Sequence, residues 1–202
     1  TQVEPIYRRS RLGVYYIYDL SSGDLVQISN EKIQEPTLSP SGDKVAFVLD
    51  NNLYTADLGT GVVSQITSDG RPNAIINGVT DWVYEEEFSF VRAFAWNSDG
   101  SKLAFLRFDE REVPEFSMDV YGQGLYPYPY VFKYPKAGEA NAEVSLHVYD
   151  LKTDTTRDVP LGEAYYIPRI KWMNHPDHLS VQTLNRHQDH LTLHKVDASD
   201  ME

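Results

Sequence analysis

The sequence contains no cysteine. That excludes a disulfide framework, a thiolate metal site and a cysteine nucleophile, and it leaves the compartment unreadable from thiol chemistry. No apolar run approaches the roughly 20 residues that a membrane-spanning helix needs. The opening Thr1-Gln2-Val3-Glu4-Pro5 has no signal-peptide pattern. It also lacks an initial Met, so a processed or excised chain is expected. There is no Gly-x-Ser-x-Gly elbow and no Gly-rich phosphate loop. Positive charge is scarce: 18 Lys and Arg stand against 30 Asp and Glu, a formal net charge of -12. A nucleic-acid partner or an anionic membrane surface is therefore not expected. Nothing in the sequence calls for a cofactor.

What is present is an ordinary globular composition, 41% hydrophobic and 24% charged over 202 residues. That is enough for one domain with a real core, or for part of a larger one. A turn-and-strand unit recurs. Ser39-Pro40-Ser41-Gly42-Asp43 precedes Lys44-Val45-Ala46-Phe47-Val48, Trp96-Asn97-Ser98-Asp99-Gly100 precedes Lys102-Leu103-Ala104-Phe105-Leu106, and Trp172-Met173-Asn174-His175-Pro176 precedes Leu179-Ser180-Val181. A second strand pattern is shared by Tyr16-Ile17-Tyr18, Leu53-Tyr54-Thr55, Leu146-His147-Val148 and Leu191-Thr192-Leu193. Strand–turn repeats of this kind predict an all-β chain, a partial β-propeller of about three to four blades, each a four-stranded antiparallel sheet. So few blades make either a small closed propeller or part of a larger one, and the second is expected. Uncovered sheet edges then predict possible self-association.

Two stretches break the pattern. From Asp81 to Trp96 the apolar residues Trp82, Val83, Phe88, Val91, Phe94 and Ala95 recur every three to four positions, which predicts a short helix or helical turn with Asp81 as N-cap. From Asp109 to Ala142 prolines, glycines and tyrosines alternate, which predicts an extended excursion, part of it an arm of polyproline-like geometry.

The helical turn carries Glu85, Glu86 and Glu87. Adjacent carboxylates repel unless solvent or a cation offsets them. On a helical turn neighbours lie about 100° apart and two of them can border one pocket, where they suit an ammonium group. From composition alone the triplet reads first as a solvated helix start, and a metal site would need a further ligand that is not recognisable nearby. Arg8 and Arg9 offer guanidinium forks for a carbonyl or carboxylate, or ordinary surface pairing. His187, His190 and His194 read as a polar hairpin turn or, given converging geometry, as zinc ligands.

Thr80-Asp81-Trp82-Val83-Tyr84-Glu85-Glu86-Glu87-Phe88 closely resembles the double-glutamate segment of the dipeptidyl peptidase IV family. Phe108-Asp109-Glu110-Arg111-Glu112-Val113-Pro114, Tyr134-Pro135-Lys136-Ala137-Gly138-Glu139-Ala140-Asn141 and Leu184-Asn185-Arg186-His187-Gln188 resemble further segments of its members, so the resemblance extends over most of the chain. It implies that residues 1–202 are the N-terminal part of an eight-bladed propeller. The C-terminal α/β-hydrolase domain, with its catalytic Ser, Asp and His, lies outside them. It implies a serine peptidase that removes Xaa-Pro or Xaa-Ala dipeptides from peptides with a free N-terminus. Glu86 and Glu87 would bind the substrate amine, Glu85 would support them, and Arg8 would contact a substrate carbonyl. The chain alone would be inactive. A periplasmic or cell-surface location is implied by the resemblance only. A non-catalytic interaction scaffold and a tripeptide-releasing relative remain alternatives.

Overall fold

Short apolar runs punctuated by polar turns become antiparallel strands here. The computed structural model describes residues 3–199, with eighteen strands and one helix among them. β1 (Val3–Pro5) pairs with β2 (Arg11–Gly13), and β3 (Tyr16–Tyr18) with β4 (Leu25–Gln27). β5 (Gln34–Leu38), β6 (Lys44–Leu49), β7 (Asn52–Asp57) and β8 (Val63–Gln65) form a four-stranded sheet in chain order. The next sheet begins with β9 (Ile75–Asn77), is interrupted by helix α1 (Trp82–Glu87), and continues with β10 (Phe94–Trp96) and β11 (Lys102–Asp109). The chain then leaves for a separate hairpin, β12 (Glu115–Val120) and β13 (Tyr128–Lys133), and returns as β14 (Glu143–Asp150) and β15 (Thr155–Val159). That sheet has the order β10-β11-β14-β15, with β9 also on β11. β16 (Tyr166–Trp172), β17 (His178–Leu184) and β18 (Leu191–Asp197) make the last sheet. The fold is thus mostly β, in several small antiparallel sheets. The expected four strands per sheet hold for β5–β8; the sheet after it has five, the last has three, and β1–β2, β3–β4 and β12–β13 are two-stranded.

The repeated turns have a common chemistry. Lys44 N–H donates to Ser39 Oγ at 3.1 Å, and Lys102 N–H donates to Asn97 Oδ1 at 2.9 Å. In both, a short side-chain acceptor closes the entry to a strand, which is why Ser and Asn recur there. The strand that follows is nearly all apolar because both of its faces are covered. Alternate side chains of a strand point to opposite faces. Val45 and Phe47 of β6 pack with Ile33 and Ala56, while Ala46 and Val48 join Leu53 in the larger core shared with Phe94, Leu103, Phe105, Leu146, Trp172 and Leu179.

Indoles tie successive sheets together. Trp96 Nε1 in β10 donates to Thr37 O in β5 at 3.1 Å, and Trp172 Nε1 in β16 donates to Ala95 O in β10 at 2.9 Å. The edge strands β5, β10 and β16 of three successive sheets are thus linked one to the next. Each bond contributes about 1 kcal/mol net, but leaving the carbonyl unpaired costs more.

Two expectations are refined. The short helix expected between 81 and 96 is present with Asp81 as its N-cap, but it takes up only the first part of that stretch. α1 ends at Glu87, Phe88 caps it by donating its N–H to Tyr84 O at 3.1 Å, and Ser89 turns out of it at φ 61°. Phe94 belongs to β10, opposite Phe105 of β11. Val91 and Ala93 are buried by the loop that joins them, so their spacing reports core contact without helical geometry. Within the extended excursion, two stretches pair as strands in place of a polyproline arm. Glu115–Val120 and Tyr128–Lys133 form a hairpin with six paired positions, in which Pro129 faces Asp119. A two-stranded ribbon has only edges, where a missing N–H is tolerated.

Candidate functional site

The site is built on α1. Asp81 caps the helix: its carboxylate accepts from Tyr84 N–H at 2.9 Å. Tyr84 pins the helix to the core. Its ring is 1% exposed and packs among Phe88, Phe90, Phe108 and Tyr166, and its hydroxyl accepts from Ile167 N–H of β16 at 2.9 Å. With the helix held on this face, the three glutamates are sent in three directions, each about 100° from the last.

Glu85 is wholly buried. Its Oε1 accepts from the backbone N–H of Arg9 at 2.5 Å and of Ser10 at 3.0 Å, while Oε2 has no hydrogen-bond partner among the described residues. Glu86 is half-buried and accepts from Arg8 Nε at 3.0 Å. Glu87 is exposed at the helix end. Arg9 does not join Arg8; its guanidinium reaches Ser89 Oγ at 3.3 Å. Of the residues singled out in the sequence, the structure brings Arg8, Glu85 and Glu86 together and leaves Glu87 at the outer rim. The Arg8 side chain is 70% exposed, so its pairing with Glu86 adds little to stability, typically about 0–1 kcal/mol, and is cheap to rearrange.

Glu86 and Trp82, four residues apart, share one helix face. That face borders a groove of about 780 Å³, lined also by Ile6, Tyr7 and Arg8, by Phe116, Met118, Tyr130 and Phe132 of the hairpin, and by Tyr134 and Lys136 after it. Its size is that of pockets holding small ligands, about 300–1,000 Å³. The walls are aromatic and the charges sit at the edge: Trp82 and Tyr134 rings lie 4.3 Å apart, and Lys136 Nζ sits 5.8 Å from the Phe116 ring centroid. The hairpin inside the proline- and tyrosine-rich excursion is thus one wall of the groove.

Behind the groove lies a cluster of buried acids that sequence reasoning did not bring together. Burial pushes the Asp81 carboxyl up to about 7, against the opposing effect of its N-cap bond. Burial, then the Asp81 charge, push Glu110 up to about 7 as well. Burial raises the Tyr7 phenol, and the neighbouring Tyr130, Glu110, Asp81 and Glu85 add to it. No sequence pattern marks this cluster, because its members come from three distant segments.

Two other arrangements bear on chemistry. Ser145 Oγ lies 2.7 Å from His147 Nε2, and His147 Nδ1 lies 2.7 Å from Asp158 Oδ1. These are the contacts of a nucleophile, base and orienting acid, at positions where the sequence shows no nucleophile motif. The surroundings do not support acyl transfer. Ser145 and His147 stand on β14, between β11 and β15, and successive N–H groups of a strand point to opposite sides. An oxyanion hole needs donors converging on one point. Asp158 is 86% exposed, and burial holds His147 below its ordinary pKa despite that carboxylate. His187, His190 and His194 form no metal site: His194 Nε2 lies 2.9 Å from Thr183 Oγ1, and the described residues hold no group of three or more His, Asp or Glu suited to a metal ion. Arg186 of the same segment instead reaches Glu139 O at 3.0 Å and packs on the Tyr165 ring, joining two of the segments noted in the sequence.

The geometry describes a class: a mostly β region in serial antiparallel sheets, with a single acidic turn set at the edge of an aromatic groove. A family model described as the dipeptidyl peptidase IV (DPP IV) N-terminal region matches residues 1–202, and the chain belongs to that family. The crystal structure of Porphyromonas gingivalis dipeptidyl peptidase 4 superposes with a TM-score of 0.95 at 42% identity, covering 100% of this chain and 29% of that one. "Prolyl endopeptidase FAP" of Mus musculus is 35% identical over 91% of this chain and 26% of its own length. "Probable dipeptidyl peptidase 4" of Aspergillus fumigatus is 35% identical over 96% of this chain and 27% of its own. The chain therefore spans about a quarter of the length of these curated relatives.

Proposed function

We propose that this chain is the substrate-recognition part of a propeller in a serine exopeptidase that releases N-terminal Xaa-Pro or Xaa-Ala dipeptides. The small sheets, tied edge strand to edge strand by Trp96 and Trp172, are its successive blades. The observation that carries the functional reading is the Arg8–Glu86 pair at the edge of the groove, on a helical turn held rigidly by Asp81 and Tyr84. Glu86, joined by Glu87 from the rim, pairs with the substrate's α-ammonium through charge-assisted hydrogen bonds. Arg8 uses Nε toward Glu86, which leaves its terminal N–H groups for a substrate carbonyl. This is positioning: the amine is held at a set distance from a nucleophile supplied elsewhere, so only two residues fit between them. A blocked N-terminus loses both of these bonds, leaving Glu86 with only its exposed Arg8 partner and Glu87 to solvent.

The test is kinetic, on the full-length protein that carries this region. Glu86→Gln and Glu87→Gln are each expected to lower kcat/KM for a Gly-Pro chromogenic substrate tenfold or more, about 1.4 kcal/mol. N-acetylation of the substrate should abolish turnover in the wild type. Unchanged kcat/KM in both variants would reduce the acidic triplet to a solvated helix start. Rapid cleavage of internal prolyl bonds, as the name of the mouse relative describes, would point to endopeptidase action instead.

A further inference from the structure

We infer that Glu85 is the positioning residue of this site: it clips the backbone turn bearing Arg8 to α1, and so sets where the Arg8 guanidinium meets Glu86. The inference rests on the amine-site reading. Residues 6–10 form a turn whose other backbone bonds are local, Ile6 N–H to Ser10 O at 2.9 Å and Tyr7 N–H to Ser10 Oγ at 3.2 Å. Among the described residues, the backbone N–H bonds that reach out of this turn, those of Arg9 and Ser10, both end on Glu85 Oε1. The next residue of α1 receives the Arg8 side chain. Two adjacent helix positions thus hold the backbone immediately after Arg8 and the Arg8 head group itself. Without the clip, that long side chain and its turn would lose their register against Glu86, at a cost in ordering that substrate binding would have to meet.

The chemistry favours more than a structural tie. Burying a carboxylate is costly, and a neutral acceptor would hold two N–H groups more cheaply. Glu85 is 0% exposed, and its Oε2 has no partner among the described residues. One carboxyl oxygen receiving both N–H groups fixes two consecutive residues of the turn at a single point, which suits a joint whose function is angular precision.

The experiment is a double-mutant cycle in the full-length protein with a Gly-Pro chromogenic substrate. Glu85→Ala should raise KM tenfold or more, with kcat within about threefold, because a mispositioned Arg8 weakens ground state and transition state alike. Glu85→Gln, which keeps one acceptor oxygen for the two N–H groups, should recover part of the loss. In an Arg8→Ala background, Glu85→Ala should add less than about twofold, since residues acting through one another are not additive. If Glu85→Ala does not fold by circular dichroism, Glu85→Gln takes its place in the cycle. Full multiplication of the two losses, a loss in kcat alone, or no loss would overturn the inference. Those outcomes differ from failure of the amine-site reading, which shows as an inert Glu86→Gln.

Discussion

Asp81→Asn isolates what burial does to the helix cap. The folded state pushes the Asp81 carboxyl from its ordinary 3.8 up to about 7, with burial as the leading cause. That is on the order of a thousandfold in proton affinity, or about 4 kcal/mol. Between pH 4 and 7 the folded chain keeps this proton while the unfolded chain releases it. Stability from this group is complete at low pH and falls as pH rises through that window. Asn caps helices as well as Asp does and does not titrate. A buried amide in place of the second carboxylate oxygen adds a constant offset, so the slope is the quantity that counts. Urea unfolding of both chains, followed by tryptophan fluorescence from pH 4 to 8, should show the stability of Asp81→Asn relative to wild type growing by about 4 kcal/mol across the window. A difference constant to about 0.5 kcal/mol would refute the reasoning, and would mean that the cap stays ionised at ordinary pH.

Gly78→Ala should destabilise the chain by about 2–4 kcal/mol in the same assay, because Gly78 lies at φ 79° and a Cβ there would meet Val48, Leu53 and Phe94 of the core at 3.1, 3.2 and 3.4 Å. A fluorophosphonate probe should leave Ser145 unlabelled, and the 202-residue chain should not turn over a Gly-Pro substrate; labelling at Ser145, detected by peptide mass, would show that the Ser145–His147–Asp158 contacts are reactive without a hole of converging N–H groups.

Local order was readable because it depends on neighbours in sequence. The Ser39 and Asn97 turns, the apolar strands after them and the Asp81 cap all use contacts a few residues apart, and each lies where the sequence placed it. Longer apolar spacing was less informative. Phe88, Val91 and Phe94 keep a near-helical interval although only α1 is helical, since a buried loop selects apolar residues as a helix does. Prolines at 127 and 129 obscured a hairpin, because an edge strand does not need the N–H that proline lacks.

By itself, the sequence determined that this chain would be β-rich, acidic, without thiol chemistry, and marked by a triplet of carboxylates on a helical turn. Only the tertiary structure decided where each carboxylate points. Helical geometry spreads the three apart, but which points inward depends on Tyr84 reaching Ile167, a partner 83 residues away. The same fold brings Arg8 to Glu86 across 78 residues and sets the hairpin aromatics beside them. Such contacts leave no local pattern, since they are selected by the shape of the assembled sheets rather than by spacing along the chain.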